Sequence, residues 1–433
     1  MAPPTPLPLY RALAGLAAGA LPVLAPLAGG KVARSVRSRR GVLARLEAWG
    51  RLHRDPVRPL VWLHAPSVGE GLQAEAVLRE LRRRHPDWQV AWTHFSPSAA
   101  ALAARQEAEV ADVLPWDTPG NVQRALAALR PTVLAFAKLD LWPELACAAA
   151  ARGVPVAVIA ATVSPVSSRL RWPARALLRP GYRAVSAAGA VSAADGQRLA
   201  LLGTPPERIE VLGDPRFDSV LRVVESVAPG DPLLRLRPGS PALVAGSTWP
   251  ADEAVVLAAL AEVRRVHPEA RLILAPHEPT PRHLTGIRAE ARRLALPDPV
   301  RLDEATPETP VVLVDRVGLL ARLYGAGAMA LVGGGFGRAG LHSVLEPAGW
   351  GLPVVFGPRW RGSREAGILV ERGGGTTLDQ AAPARQLAAW WSRMIADRGE
   401  RERAGRAAAA VIDAGRGAAA RQAELLERLV RPG

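Results

Sequence analysis

Short apolar runs alternate with amphipathic stretches along almost the whole of this 433-residue chain, and that alternation restricts it to a parallel α/β architecture. A parallel strand is covered on both faces and reads as a continuous apolar run, whereas the helix that returns the chain reads with a period of about 3.6 residues. Runs of the first kind lie at 60–65, 89–94, 132–137, 155–160 and 209–212, and again at 242–246, 271–275, 310–314, 329–333 and 353–356. Between them, 71–84, 252–266 and 341–350 predict amphipathic helices. The length exceeds what one core supports, and the Pro- and Gly-rich stretch 224–241 marks the expected break. The expected organisation is an N-terminal apolar and basic segment (1–40), two Rossmann-like domains (41–225 and 226–400) and a C-terminal segment (401–433). The tail from about 399 to 430 reads as one long, charged, Ala-rich helix suited to packing back across the domain boundary.

A formal charge of +15 raises the question of a nucleic-acid partner, but its distribution points elsewhere. Residues 1–60 hold ten Arg or Lys and two acidic residues, more than half of the excess. An uncharged stretch, Ala12–Gly30, precedes the cluster KVARSVRSRR at 31–40. Basic side chains beside an apolar segment suit an anionic bilayer surface, where each contributes on the order of 1 kcal/mol. These arginines lack interleaved aromatics and no nucleic-acid motif accompanies them, so nucleic acid is not an expected partner. Pro22, Pro26 and four glycines interrupt 19 residues that barely match a bilayer. A monotopic anchor, a single span and a soluble helix packed on the first domain all stay open. The single cysteine, Cys147, excludes internal disulfides and a cysteine metal cluster.

The stretch 332–358, VGGGFGRAGLHSVLEPAGWGLPVVFGP, carries the strongest chemical signal. An apolar run ends in glycines and a helix is expected to open there with exposed N–H groups. Such a turn lets backbone approach a phosphate closely. Gly335, Gly337 and Gly340 spell the dinucleotide fingerprint, yet about 20 positions on stand Arg359, Trp360 and Arg361 where that fingerprint needs an acid. Glu346 is the nearer candidate for a ribose hydroxyl. The alternative is a strand-to-helix turn packed tightly with glycine.

Ligands of open α/β sheets sit beyond the carboxyl ends of the strands. There HAPSVGE (64–70) places Glu70 at a helix start, either a general base or a helix-start charge. KLDLWPEL (138–145) places Lys138 and Asp140 on one side of an extended segment, either to meet an acidic substrate group or as an ion pair beside a buried Trp. In the second half, Ser247 and Thr248 of AGSTWPADE either cap a helix or hold phosphate oxygens. His277 of APHEP stands beside Glu278 within reach of a base or phosphate, and the two alone do not make a metal site. The templates G-x-x-x-x-G-K-[ST], H-E-x-x-H, G-x-S-x-G and D-x-D are not found, so backbone dipoles, His and Arg are left to meet phosphate charge.

Together HAPSVGE, KLDLWPEL, GDPRFD (213–218), AGSTWPADE, APHEP and the Gly-rich stretch resemble, in order and spacing, the 3-deoxy-D-manno-octulosonic acid (Kdo) transferases of lipopolysaccharide synthesis. The resemblance covers essentially the whole chain. It implies a GT-B fold, with two doubly wound domains facing a central cleft, nucleotide in the C-terminal domain and acceptor in the N-terminal one. It implies transfer of Kdo from CMP-Kdo to a lipid A precursor with inversion, no cofactor and no required metal, at the cytoplasmic face of the inner membrane. Glu70 matches the family's proposed general base. Asp140 falls where the family has a second functional glutamate, and Lys138 matches a lysine used in one branch. Arg216, Ser247, Thr248, His277, Gly335, Phe336, Ser343 and Glu346 are placed around the donor. Three departures stand out: Ser343 replaces the usual Asn, Asp140 is one methylene shorter than Glu, and 161–170 lacks the Arg of the family pattern. A sugar-nucleotide 2-epimerase, or a GT-B transferase using a UDP-sugar, is the alternative.

Overall fold

The computed structural model describes residues 3–28, 30–237 and 241–430; Gly29 and residues 238–240 of the expected break lie outside them. The chain forms two compact units, Met1–Ser219 joined by Gly417–Gly433, and Val220–Arg416. The first division falls inside the helix Arg216–Ser226 rather than in the Pro- and Gly-rich stretch that follows it.

The first unit carries seven strands, β1 (Leu60–His64), β2 (Gln89–His94), β3 (Val110–Val113), β4 (Val133–Ala137), β5 (Val156–Ala161), β6 (Val185–Ala190) and β7 (Ile209–Val211). Their order is β3-β2-β1-β4-β5-β6-β7, and every pairing is parallel. Side chains alternate across a strand, so β1 feeds two cores. Leu60 and Trp62 pack with Leu134, Phe136 and Leu126, while Val61 and Leu63 pack with Val77, Leu78 and Leu426 on the other face. All are essentially inaccessible, each contributing roughly 1.5–3 kcal/mol by burial.

The second unit repeats the plan with β8 (Ala242–Thr248), β9 (Arg271–Pro276), β10 (Val300–Arg301), β11 (Val311–Leu313), β12 (Met329–Val332), β13 (Val354–Phe356) and β14 (Gly375–Thr377). Its order is β10-β11-β9-β8-β12-β13-β14, again all parallel. In both sheets the chain starts near the middle, builds one wing, then returns to build the other. The strand order therefore reverses between β1 and β4, and between β8 and β12, and such points are where open sheets bind ligands.

Three local expectations need correction. The C-terminal tail is two helices, Arg398–Ala414 and Ala418–Val430, separated at Gly415–Gly417, where Gly417 takes a positive φ of 83°. The first belongs to the second unit, and the last packs on the first sheet through Ala423, Leu425 and Leu426. The stretch 341–350 yields only a short helix, Leu345–Gly349. At the N-terminus, α1 (Pro8–Ala28) continues through Pro22 and Pro26, although neither proline can donate to the carbonyl four residues back. It is followed by α2 (Gly30–Ser38), whose Ala33 and Val36 are buried together with Ala25.

Candidate active site

The switch point of the first sheet is built by the turns after β1 and β4. After β1, Ser67 precedes the helix Val68–Arg84, and Glu70 sits in its first turn with the Ser67 hydroxyl donating to its carboxylate. After β4, Lys138 adopts a left-handed backbone (φ 64°). The segment is therefore a turn rather than extended, and period-two spacing does not apply to Lys138 and Asp140. Lys138 Nζ instead donates to Glu70 Oε1 at 3.2 Å, both residues being partly exposed. Glu70 and Lys138 thus come together, with Asp140 two residues on.

Asp140 has its own partners, which the sequence did not announce. Arg169 Nη2 donates to its Oδ1 at 2.7 Å, and His64 Nε2 lies 3.7 Å from Oδ2. Burial pushes the Asp140 carboxyl up, but the His64 imidazole and the Arg169 guanidinium outweigh it and hold it below the ordinary carboxylate range. His64 is fully buried; its Nδ1 lies 3.1 Å from Thr93 Oγ1, which also accepts from Trp62 Nε1 at 2.9 Å. A Thr93 hydroxyl proton given to Nδ1 leaves the ring proton on Nε2, the nitrogen that faces Asp140. The turn is also supported from below by the buried Tyr182 hydroxyl, donating to Leu139 O at 2.9 Å.

Farther along this unit, Arg216 is latched to the buried Asp214, with Nε and Nη2 at 2.9 and 2.6 Å from Oδ2. Asp218 of the same motif accepts from the N–H groups of Gly417 and Ala419 at 2.6 and 2.8 Å, so it caps the last helix.

The switch point of the second sheet gathers the remaining residues. Thr248 is fully buried and its hydroxyl donates to Glu253 Oε1 at 3.0 Å, a structural bond rather than a phosphate ligand; Glu253 in turn meets His283 Nε2 at 2.8 Å. Ser247 precedes it with a left-handed φ of 51°. Asp252, wholly buried, accepts from the N–H groups of Trp249, Gly334 and Phe336 at 2.8, 2.9 and 3.4 Å. Two amides expected to face a phosphate are therefore turned inward, and the first glycines serve packing. A Cβ on Gly335 would stand 2.6 Å from Gly357 N, and one on Gly334, whose φ is 89°, 2.0 Å from Gly340 O.

What the Gly-rich turn leaves for a ligand lies further on. Among the described residues, the N–H groups of 337–341 and 343–345 make no backbone hydrogen bond, and residues 338–340 and Ser343 are exposed. Beside them Trp249, His277 and His342 form an aromatic stack, with ring centroids 4.8 Å apart for Trp249–His277 and 4.5 Å for His277–His342. Trp249 Nε1 donates to His342 Nε2 at 3.0 Å, which places the ring proton on Nδ1. Burial, then His277, keep the His342 pKa below its ordinary value. Glu346, on the helix Leu345–Gly349, has its carboxyl pushed up to about 7 by burial. The unit thus offers free amides, a neutral imidazole and a near-neutral carboxyl, a set suited to phosphate, aromatic base and hydroxyl groups.

Comparisons with known proteins accord with the motifs. Residues 34–219 match the family described as 3-deoxy-D-manno-octulosonic-acid transferase (kdotransferase). The 3-deoxy-D-manno-octulosonic acid transferase of Haemophilus influenzae is 26% identical over 378 residues, covering 85% of this chain and 86% of its own. That of Bordetella pertussis is 28% identical over 393 residues, covering 86% and 88%. Among solved structures, the UDP-GlcNAc 2-epimerase of Neisseria meningitidis bound to UDP-GlcNAc superposes with a TM-score of 0.62 at 14% identity, covering 85% of this chain and 100% of that one. At that identity the likeness speaks to the fold. The family resemblance and the two-sheet α/β fold expected from the sequence are both borne out, and the named sequence relatives are 3-deoxy-D-manno-octulosonic acid transferases.

Proposed function

We propose that this chain is an inverting glycosyltransferase that moves Kdo, or a related acidic sugar, from a CMP-activated donor to a lipid A precursor or similar membrane glycolipid. The observation that carries this is the Glu70–Lys138 pair at the switch point of one sheet, in a chain similar to Kdo transferases over more than four fifths of its length.

In the proposed step the acceptor hydroxyl gives its proton to a Glu70 carboxylate oxygen as its own oxygen attacks the anomeric carbon of the donor. The bond from that carbon to the phosphate oxygen breaks, CMP leaves with the electron pair, and attack from the opposite face inverts the centre. Lys138 fixes the orientation of Glu70. Asp140, held in its charged form by His64 and Arg169, is the electrostatic partner rather than the proton acceptor, so the two carboxylates divide the work. In the second unit the amides of 337–341 and 343–345 would receive the departing phosphate, with Ser343 beside them. Glu346 would accept from the ribose hydroxyls, and His277 and His342 would flank the nucleotide.

The N-terminal helix supports membrane association: Pro8–Ala25 is long and apolar enough to cross a bilayer, and little of it is buried in the protein. Tyr10 and Arg11 are bonded to the globular unit, however, and Ala25 is buried, which leaves Ala12–Leu24 for lipid. At about 1.5 Å per residue that is roughly 20 Å, short of a hydrocarbon core of ~30 Å, and favours a helix lying in the cytoplasmic face of the inner membrane.

The test is a panel of CMP- and UDP-linked sugars, read as thermal stabilisation and as product. Preference for the CMP-linked acid, with sugar transferred to lipid, is expected. The fold shared with the epimerase supplies the alternative: interconversion of a UDP-sugar without any acceptor would replace this proposal.

A further inference from the structure

The first turn of α1 is fastened to the globular unit by two polar contacts. Tyr10 Oη donates to Asp117 Oδ2 at 2.6 Å. Arg11 forms a two-point pair with Glu144, Nε to Oε2 at 2.7 Å and Nη2 to Oε1 at 2.9 Å. Both acceptors are nearly inaccessible, Asp117 at 5% and Glu144 at 3% exposure. Asp117 also accepts from the N–H groups of Glu144 and Leu145 at 2.9 Å each, so it caps the helix Pro143–Ala151. One contact lands on the helix start that closely follows Lys138 and Asp140, and the other on the residue that caps it.

A second tie comes from the end of the basic cluster. Arg39 does not face lipid: it is 5% exposed, with its guanidinium 4.2 Å from the Phe95 ring centroid and 4.7 Å from that of Trp116. Phe95 stacks on Trp142 at 5.2 Å, in the turn that leads into the same helix. The N-terminal segment therefore grips the turns after β2, β3 and β4, which form the carboxyl end of the first sheet.

On both sides of that grip α1 turns an apolar face outward. Leu9, Leu13, Leu16 and Val23 follow helical spacing and are 48–73% exposed, and Arg34, Arg37 and Arg40 beyond it are exposed too. Apolar side chains with arginines at one end match the acyl and headgroup layers of an anionic bilayer, the occupant to which this face is assigned.

We propose that Tyr10–Asp117 and Arg11–Glu144 form a rigid joint through which the seating of α1 in the bilayer positions the Lys138–Asp140 turn for the lipid acceptor. Residues Tyr10, Arg11, Asp117 and Glu144 are positioning residues, and α1 is part of the acceptor site's frame rather than a detachable tether. This rests on assigning the acceptor to the first unit. A bidentate pair between charged groups is the natural element for such a joint, since it fixes direction as well as distance.

The test uses the full-length protein with vesicles of phosphatidylethanolamine and phosphatidylglycerol. Arg11→Met and Tyr10→Phe, alone and combined, should co-sediment with vesicles and be stabilised by CMP as the wild type is, while the KM for a lipid A precursor rises roughly tenfold or more. The exchanged pair Arg11→Glu with Glu144→Arg should recover most of the loss, which guards against a variant that merely folds poorly. Hydrogen exchange gives a readout without turnover: vesicles should slow exchange at residues 139–145 of the wild type but not of the double variant. Wild-type KM and equal vesicle-induced protection in the double variant would overturn the joint while leaving Kdo transfer intact. A wild type that transfers sugar to no lipid acceptor, yet shows the protection difference, would uphold the joint and overturn the proposed function.

Discussion

Glu346 and Asp140 are carboxyl groups driven in opposite directions by their surroundings, and each direction has a consequence. Burial raises the Glu346 carboxyl to about 7, so it gains a proton as the pH falls through neutrality. A ribose hydroxyl donates best to the charged form, so nucleotide binding should strengthen as pH rises through about 7 and weaken below it. Glu346→Gln should flatten that limb when calorimetric titrations with CMP are compared at matched pH, the difference from wild type removing the titration of the phosphate itself. An equal slope in both proteins would separate Glu346 from the nucleotide. For Asp140, whose carboxyl is held low by His64 and Arg169, no such limb is expected near neutrality. Asp140→Asn should lower kcat at every neutral pH without moving the profile, whereas a displaced profile would make Asp140 the proton acceptor.

At the scale of elements, the helix Ala418–Val430 is tied to the first sheet by a buried polar side chain on its inner face. Gln422, fully buried, donates to Gly189 O and Gly213 O at 3.3 Å each and accepts from Ala160 N at 3.2 Å. Gln422→Leu removes the partner of two buried backbone groups and one half-buried carbonyl, and should cost about 2–4 kcal/mol in denaturant unfolding. Gly189→Ala should cost a similar amount, because its Cβ would stand 2.1 Å from Gln422 Oε1 and the amide cannot move without losing those bonds. A loss below about 0.5 kcal/mol in both would contradict this role. None of this was legible beforehand, because a lone Gln in an Ala-rich tail carries no pattern. The ten strands foreseen from apolar runs are all present, since two-sided burial demands a run that composition reveals. The four that escaped lack such a run: β3 holds Asp112, β6 is VSAAGA, β10 has two residues and β14 reads GTT. The Gly-rich turn misled for another reason. Its glycines announced close approach, but the group approached by Gly334 and Phe336 is the buried Asp252, three residues beyond Trp249 in sequence and invisible as a partner until the chain folds. His64 and Arg169 were missed likewise, because their link to Asp140 spans turns that only the sheet order brings together.

The whole molecule is two units, one of them completed by a segment that returns after the other has been built. Two calorimetric transitions are expected, and CMP should raise only that of Val220–Arg416, by about 2.7 kcal/mol at a hundredfold excess over Kd. Equal stabilisation of both would show the nucleotide engaging the first unit as well. In the proposed reaction an acid side chain in the first unit accepts the acceptor proton while the second unit holds the donor. Glu70→Gln keeps the shape and the Ser67 contact but removes the base, so it tests that division most directly. Single-turnover transfer from CMP-Kdo to a lipid A precursor should fall roughly 10²–10⁴-fold, with CMP affinity unchanged. Transfer at the wild-type rate in Glu70→Gln would remove Glu70 as the proton acceptor.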